Sequence, residues 1–291
     1  MIIRKHIIKL EDTSPSEMAR FRQIMLDIWR QQIEDDRNAD EMEKLIRENY
    51  IAKSNLDSDS KKSYDNDIFY VNDDGSIIKV EVDKSYYINV VLFNGNKVLF
   101  SDLDISGRTF SWNNTNRQIV ANIAGYYGKQ LNIKEIGVNY DMSDKSYAYT
   151  IAKKIWLHPT SKGGVDPFFN NKYNLKSILI HEHNHQKESK KKGGYTYSDH
   201  ARVFLKQFQD STFKKTSEKF ALGHISNFIQ YIDYASGHNE EGWQDLIKEF
   251  NKSQILGGYY INYRESGGTQ LFDNKGQKLV IEIRKPLDGP H

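Results

Sequence analysis

The chain has 291 residues, of which 41 are basic and 39 acidic, with a formal net charge of +2 and no cysteine. The lack of cysteine excludes disulfides, thiolate metal sites and cysteine nucleophiles, so any metal must be held by histidine and carboxylate. The balanced charge argues against a nucleic-acid partner. No stretch approaches the roughly 20 apolar residues that span a bilayer, and the N-terminal residues are too charged for a signal peptide.

Residues 1–63 are predicted to form an N-terminal helical segment. Ser14 and Pro15 supply a helix cap and a first-turn proline, and apolar residues then recur at helical spacing. The pattern breaks at residues 35–40 and resumes in a second short helix. A polar run follows this helix, and we place a domain boundary near residue 63.

Residues 64–110 predict a small antiparallel β module. Apolar and polar side chains alternate through residues 67–103, as they do in a half-buried strand. The pairs Asp74-Gly75 and Asn94-Gly95 are the residues that tight hairpin turns favour.

The third predicted domain, residues 111–291, mixes helical and strand patterns, so we expect an α+β protein. Its predicted elements are an amphipathic helix from residue 114 to 131, strands in residues 134–140 and 147–159, a helix around residue 181, helices at about 198–213, 216–235 and 240–252, and strands in the tail with a turn at Asn274, Lys275 and Gly276.

The run NLKSILIHEHNHQKE carries the strongest chemical signal, because it contains the pattern His-Glu-x-x-His at His181, Glu182 and His185. On a helix, residues four apart lie on the same face, so both imidazoles can reach one tetrahedral ion at about 2.0–2.1 Å. Glu182 then lies beside the open coordination position, where it can act as the general base. His183 falls on the opposite side of the helix.

A catalytic zinc needs a third protein ligand, and His200 is the best candidate. Ser198 is the expected cap of the following helix, which holds His200 in its first turn, and Gly193 and Gly194 suit a reversal between the two helices. Asp199 is an alternative ligand or a partner that orients an imidazole. Glu218 is a weaker candidate on a later helix.

The chain resembles the SprT/WLM-like branch of HExxH zinc metallopeptidases, in which HExxH is followed by a loop and then by a histidine with an aromatic residue shortly after it. Here HEHNH and HARVF match this pattern, and Phe204 is the aromatic residue. The resemblance covers about residues 145–235. It implies a zincin-like domain that hydrolyses peptide bonds, with His181, His185 and His200 as Zn²⁺ ligands and Glu182 as the catalytic base.

Two departures from that branch narrow the resemblance. Ala201 stands where SprT-like proteins usually have glycine, and the cysteine-based zinc ribbon is absent. The chain is therefore similar to the metallopeptidase domains of bacterial polymorphic toxins. That likeness implies a toxic effector with a protein or peptide substrate and an immunity protein as partner. It also implies delivery by a non-classical secretion system.

Other interpretations stay open at this point. The metal site could be structural in a non-proteolytic effector, the motif could occur by chance in a binding protein, or the enzyme could act on DNA-bound proteins. The strand-like run 147–159 is either a sheet edge to which an extended peptide adds or an interior strand, since its alternation fits both. Three isolated histidines are expected to have structural roles, namely His158, His224 and His238. Four tyrosines could stabilise an oxyanion, namely Tyr195, Tyr197, Tyr231 and Tyr234. The lysine run of residues 190–192 is expected to be a solvated loop.

Overall fold

A computed structural model describes most of the chain beyond residue 66. The described residues are 67–83, 86–106, 114–139, 148–151, 153–160, 163–188, 195–264 and 268–279. The predicted N-terminal helices and the boundary near residue 63 lie outside these residues, as do the lysine run and the glycine pair of residues 190–194.

The first sheet consists of β1 (Asp67–Val71), β2 (Ile77–Glu81), β3 (Ile88–Val91) and β4 (Lys97–Leu99), in the order β2-β1-β3-β4. Both predicted turns are present, with Gly75 and Gly95 at positive φ of 83° and 84°. The outer pairs are antiparallel hairpins, but β1 and β3 run parallel, so the sheet is mixed rather than wholly antiparallel.

Helix α1 (Asn114–Gln130) lies close to its predicted bounds. It buries the apolar stripe that the sequence pattern indicated, namely Ile119, Val120, Ile123, Ala124 and Tyr127. The helix packs on the first sheet, since the Asn122 amide donates to the Gly75 carbonyl at 2.8 Å.

The second sheet corrects the prediction of one strand over residues 147–159. The run is a hairpin of two strands, β6 (Ala148–Ile151) and β7 (Lys154–Leu157), and Lys153 between them takes a positive φ of 65°. Strand β5 (Ile136–Val138) pairs in parallel with β7, giving the order β5-β7-β6. β7 is therefore interior, and β6 forms an edge of this sheet.

Four helices follow, and the chain ends its described part in a third sheet. The helices are α2 (Lys172–Glu188), α3 (Tyr197–Gln209), α4 (Glu218–Gly237) and α5 (Trp243–Lys252). The antiparallel strands are β8 (Tyr260–Arg264), β9 (Gly268–Phe272) and β10 (Lys278–Leu279), in the order β10-β9-β8. Gly276 forms the predicted turn with a φ of 79°.

One apolar core runs through the described residues, from Phe69 in the first sheet to Leu271 in the third. A buried ion pair also joins the first strand to the start of helix α2. The Lys172 ammonium lies 2.8 Å from Asp67 Oδ1, and the Tyr127 hydroxyl donates to Asp67 Oδ2 at 2.8 Å. The mixture of helices and small sheets around this core confirms the α+β class.

Candidate metal centre

Helix α2 carries the His-Glu-x-x-His pattern on the side that faces the core. Its start is fixed by the Asn171 side chain, whose Oδ1 accepts from the backbone N–H of Tyr173 at 2.9 Å. Leu175 and Leu179 are completely buried, which anchors the helix and turns the next positions toward α3. His181 and Glu182 are buried as well, with exposed fractions of 5% and 6%.

Helix α3 brings the third histidine to the same point. The cap of this helix is Thr196, not the predicted Ser198: the Thr196 side chain accepts from the Asp199 N–H at 3.1 Å, and Asp199 Oδ2 accepts from the Thr196 N–H at 3.3 Å. This reciprocal pair is a capping box. His200 still falls in the first turn, facing α2, as the sequence predicted.

His181, His185 and His200 come together, with one ligand nitrogen from each lying within 4.8 Å of the others. The Nε2 atoms of His181 and His185 are 3.1 Å apart. Two nitrogens that bind one tetrahedral ion at the usual zinc distance lie about 3.3 Å apart. The three imidazoles therefore converge closely enough that they could hold a divalent metal ion.

Gln207 determines which nitrogen of His181 is available to a metal. The side chain of Gln207 is completely buried, and its amide nitrogen donates to Ser177 O at 3.2 Å and Oγ at 2.9 Å. Since a carbonyl oxygen only accepts, the amide oxygen must face His181 Nδ1, 3.0 Å away. Nδ1 therefore carries the proton, and the lone pair of Nε2 points into the cluster.

Aromatic residues hold the other two histidines. The Tyr195 hydroxyl lies 2.9 Å from His185 Nδ1, where it can accept the imidazole proton. The Tyr231 ring from α4 stacks on the His200 ring at a centroid distance of 4.0 Å, and the Phe204 ring stacks on His200 at 5.4 Å. Two of the tyrosines that we considered for an oxyanion role thus contact the histidine cluster.

Burial keeps His181 in the neutral form that binds metal. It lowers the pKa of His181 to about 3, with His224 adding to the shift and the Gln207 hydrogen bond opposing it. Burial likewise lowers the pKa of His224 to about 3. Both imidazoles are therefore neutral near pH 7, and His181 needs no deprotonation before it accepts a cation.

Glu182 receives a hydrogen bond from a residue that the motif does not reveal. Thr150 on strand β6 places its hydroxyl 3.0 Å from Glu182 Oε2 and 2.9 Å from the Glu182 backbone oxygen. Nothing in the sequence indicated Thr150 or Gln207, because both act through contacts between distant elements.

The other candidates lie outside the three-histidine cluster. His183 contacts the Gln186 side chain at 2.7 Å, and Asp199 serves the capping box. His224 lies closer than expected, with its ring 6.3 Å from that of His181, and neither of its ring nitrogens has a hydrogen-bond partner among the described residues. The remaining candidates contact other residues. The His158 ring packs against Tyr149, His238 Nδ1 donates to the Tyr234 carbonyl, and the Tyr197 ring stacks on Tyr234. Glu218 lies near Tyr259.

A family model described as metallopeptidase toxin 2 matches residues 69–255. The chain belongs to the metallopeptidase toxin 2 family. The match contains all three histidines, Glu182, Thr150 and Gln207. No curated protein and no solved structure matches the chain.

Membership in the metallopeptidase toxin 2 family confirms the toxin resemblance drawn from the sequence. A metallopeptidase requires a metal cofactor and acts on peptide bonds, so the protein is a toxin with a protein substrate. The cluster of His181, His185 and His200 is a group that could hold the metal. Among the helices that the structure describes, none is long and apolar enough to cross a membrane.

Proposed function

We propose that the protein is a zinc-dependent peptidase of the HExxH type. In this proposal His181, His185 and His200 hold Zn²⁺ and Glu182 is the general base. The convergence of three histidine nitrogens within 4.8 Å carries the proposal. The Nε2 lone pair that Gln207 selects on His181 suits zinc, because neutral imidazoles are among its usual protein ligands.

The chemistry follows from these groups. When bound, zinc supplies a Lewis acid that polarises the scissile carbonyl and acidifies water. Glu182 accepts the proton of the attacking water and then delivers it to the leaving amine, so that the peptide bond breaks to an acid and an amine. The Thr150 hydroxyl lies 3.0 Å from Glu182 Oε2 and restrains the carboxylate of the proposed base.

We propose further that the substrate binds as an extended strand along β6. This strand is the edge of its sheet and pairs with β7 on one side only among the described strands. An edge strand offers backbone N–H and C=O groups to an added peptide. Since Thr150 of β6 contacts Glu182, a peptide along this edge lies next to the proposed base.

Metal analysis and peptidase assays test the proposal together. We expect about one zinc per chain in the wild type and in Glu182→Ala, but peptidase activity only in the wild type. His200→Ala should lose both zinc and activity. His183→Ala is the matched control, because His183 lies on the same helix and contacts Gln186 instead of the cluster. Cleavage by Glu182→Ala, or stoichiometric zinc in His200→Ala, would contradict the proposal.

The setting of the toxin is also part of the proposal. We infer delivery to a target cell by a bacterial secretion system and neutralisation by an immunity protein, because metallopeptidase toxins need both a route out and protection of the producer. Expression of residues 64–291 in bacteria should arrest growth, and Glu182→Ala should relieve the arrest. The division into residues 1–63, 64–110 and 111–291 stays a prediction.

A further inference from the structure

Thr150 on strand β6 places its side-chain hydroxyl within hydrogen-bond distance of the Glu182 carboxylate. Its Oγ1 lies 3.0 Å from Glu182 Oε2 and 2.9 Å from the Glu182 backbone oxygen. Thr150 is half-buried on β6, and Glu182 is buried on α2. The contact therefore joins the edge strand to the metal-site helix at the position of the proposed base.

The two acceptors do not compete equally for the single proton of the Thr150 hydroxyl. The Glu182 carbonyl lies inside helix α2, where the N–H four residues later already donates to it. A carboxylate oxygen is the stronger acceptor, because a hydrogen bond to an ionised group is shorter and about twice as strong. The carboxylate therefore competes for the proton even though its contact is slightly the longer of the two, and the hydrogen bond to Oε2 restrains the rotamer of Glu182.

The location of Thr150 gives this contact a second consequence. The side chain of Thr150 points toward α2, while its backbone belongs to the strand that we propose as the substrate's pairing partner. One residue thus has two roles: the Thr150 backbone pairs with the peptide, and the Thr150 hydroxyl aligns the base. A shift of the base relative to the peptide would have to move this residue.

We propose that Thr150 is a positioning residue that holds the Glu182 carboxylate in register with a peptide bound along β6. The inference rests on the proposed function of Glu182 as the base. Thr150 itself takes no proton from the substrate and binds no metal.

Steady-state kinetics of Thr150→Val and Thr150→Ser test the proposal on the zinc-loaded protein. Valine keeps the shape and removes the hydroxyl, so kcat should fall roughly 10- to 100-fold, the scale of a misplaced catalytic group, with KM within about twofold. Serine keeps the hydroxyl and should restore most of kcat. Zinc content should match the wild type in both variants. Thr115→Val is the matched control, because the Thr115 hydroxyl bonds to the Asp73 carbonyl on another part of the fold.

Wild-type kcat in Thr150→Val, an equal loss in the serine variant, or a change confined to KM would each overturn the proposal. A second measurement does not depend on activity. The carboxyl ¹³C resonance of Glu182 should shift in Thr150→Val and return in Thr150→Ser at constant pH. An unmoved resonance in Thr150→Val would reject the contact itself. A resonance that moves in Thr150→Val, together with a wild type that cleaves no peptide, would reject the proposed function alone.

Discussion

Gln207 shows how one buried amide can fix the tautomer of a buried imidazole. Its nitrogen is committed to Ser177, so its oxygen can only accept the proton of His181 Nδ1. The tautomer of His181 is set before any ion arrives. Mutation of a residue that orients a metal ligand in this way typically costs roughly 10- to 100-fold in metal affinity.

We predict that Gln207→Leu weakens zinc binding by roughly 10- to 100-fold while all three histidines remain. Leucine fills similar space but cannot accept the Nδ1 proton, so His181 loses its fixed tautomer. Competition with a chromophoric chelator measures the affinity. Gln230→Leu is the control, since Gln230 is also buried and its amide nitrogen has no hydrogen-bond partner in the described part of the chain. An unchanged affinity in Gln207→Leu would show that His181 is oriented by other contacts.

At the scale of elements, strand β6 ends in an exposed apolar residue. Ile151 is 60% exposed and follows Thr150 directly on the edge strand. A peptide that pairs along this edge would cover the Ile151 side chain, and such cross-strand contacts contribute about 0.2–1 kcal/mol each. The edge strand can therefore favour apolar residues in the substrate.

We predict that Ile151→Lys raises KM for an apolar peptide by up to about fivefold, the equivalent of about 1 kcal/mol, and leaves kcat unchanged. The change should not affect stability, because the side chain is exposed. Ile78→Lys provides the control, since Ile78 is 63% exposed on a strand of the first sheet. An equal rise in KM in both variants would point to a general charge effect and not to docking on β6.

Elements also show where sequence reasoning reaches its limit. The stripe of helix α1 and the histidine spacing of α2 follow from local periodicity, and both were predictable from the sequence alone. The parallel pairing of β1 with β3 and the hairpin within residues 147–159 were not. Strand pairing is decided by what packs on the sheet, and the break at Lys153 carries no glycine or proline to mark it.

The same division holds for the candidate site. The sequence selected the three histidines that the structure brings together, because a ligand pair on one helix has a fixed spacing. It could not select Thr150 or Gln207, which lie on a strand and a helix far from the motif along the chain. Their roles exist only after β6, α2 and α3 have packed.

At the scale of the whole molecule, the ion pair between Lys172 and Asp67 links the first strand to the first residue of helix α2. Both side chains are buried, with exposed fractions of 7% and 2%. The Lys172 ammonium also donates to the Asp83 carbonyl at 2.7 Å. Breaking such a pair leaves a charge in the interior without its counter-ion.

We predict that Lys172→Met lowers the free energy of unfolding by about 3–5 kcal/mol, because it strands the Asp67 carboxylate. The double variant with Asp67→Asn should recover much of that loss, since it removes both charges. Urea denaturation at pH 7 measures each variant. Lys176→Met is the control for loss of a lysine on the same helix, because Lys176 contacts Gln130 through a partly exposed side chain. If Lys172→Met and the double variant are equally stable, the two buried charges do not depend on each other and the prediction is wrong.

The ion pair between Lys172 and Asp67 limits where a protease could cleave to release an active toxin. A protease that released the active part by cleaving after the first sheet would remove Asp67 and leave the ammonium of Lys172 buried at the root of the histidine helix. In such a fragment, helix α2 would be destabilised from the moment of cleavage. A processing site compatible with a working toxin therefore lies on the N-terminal side of strand β1.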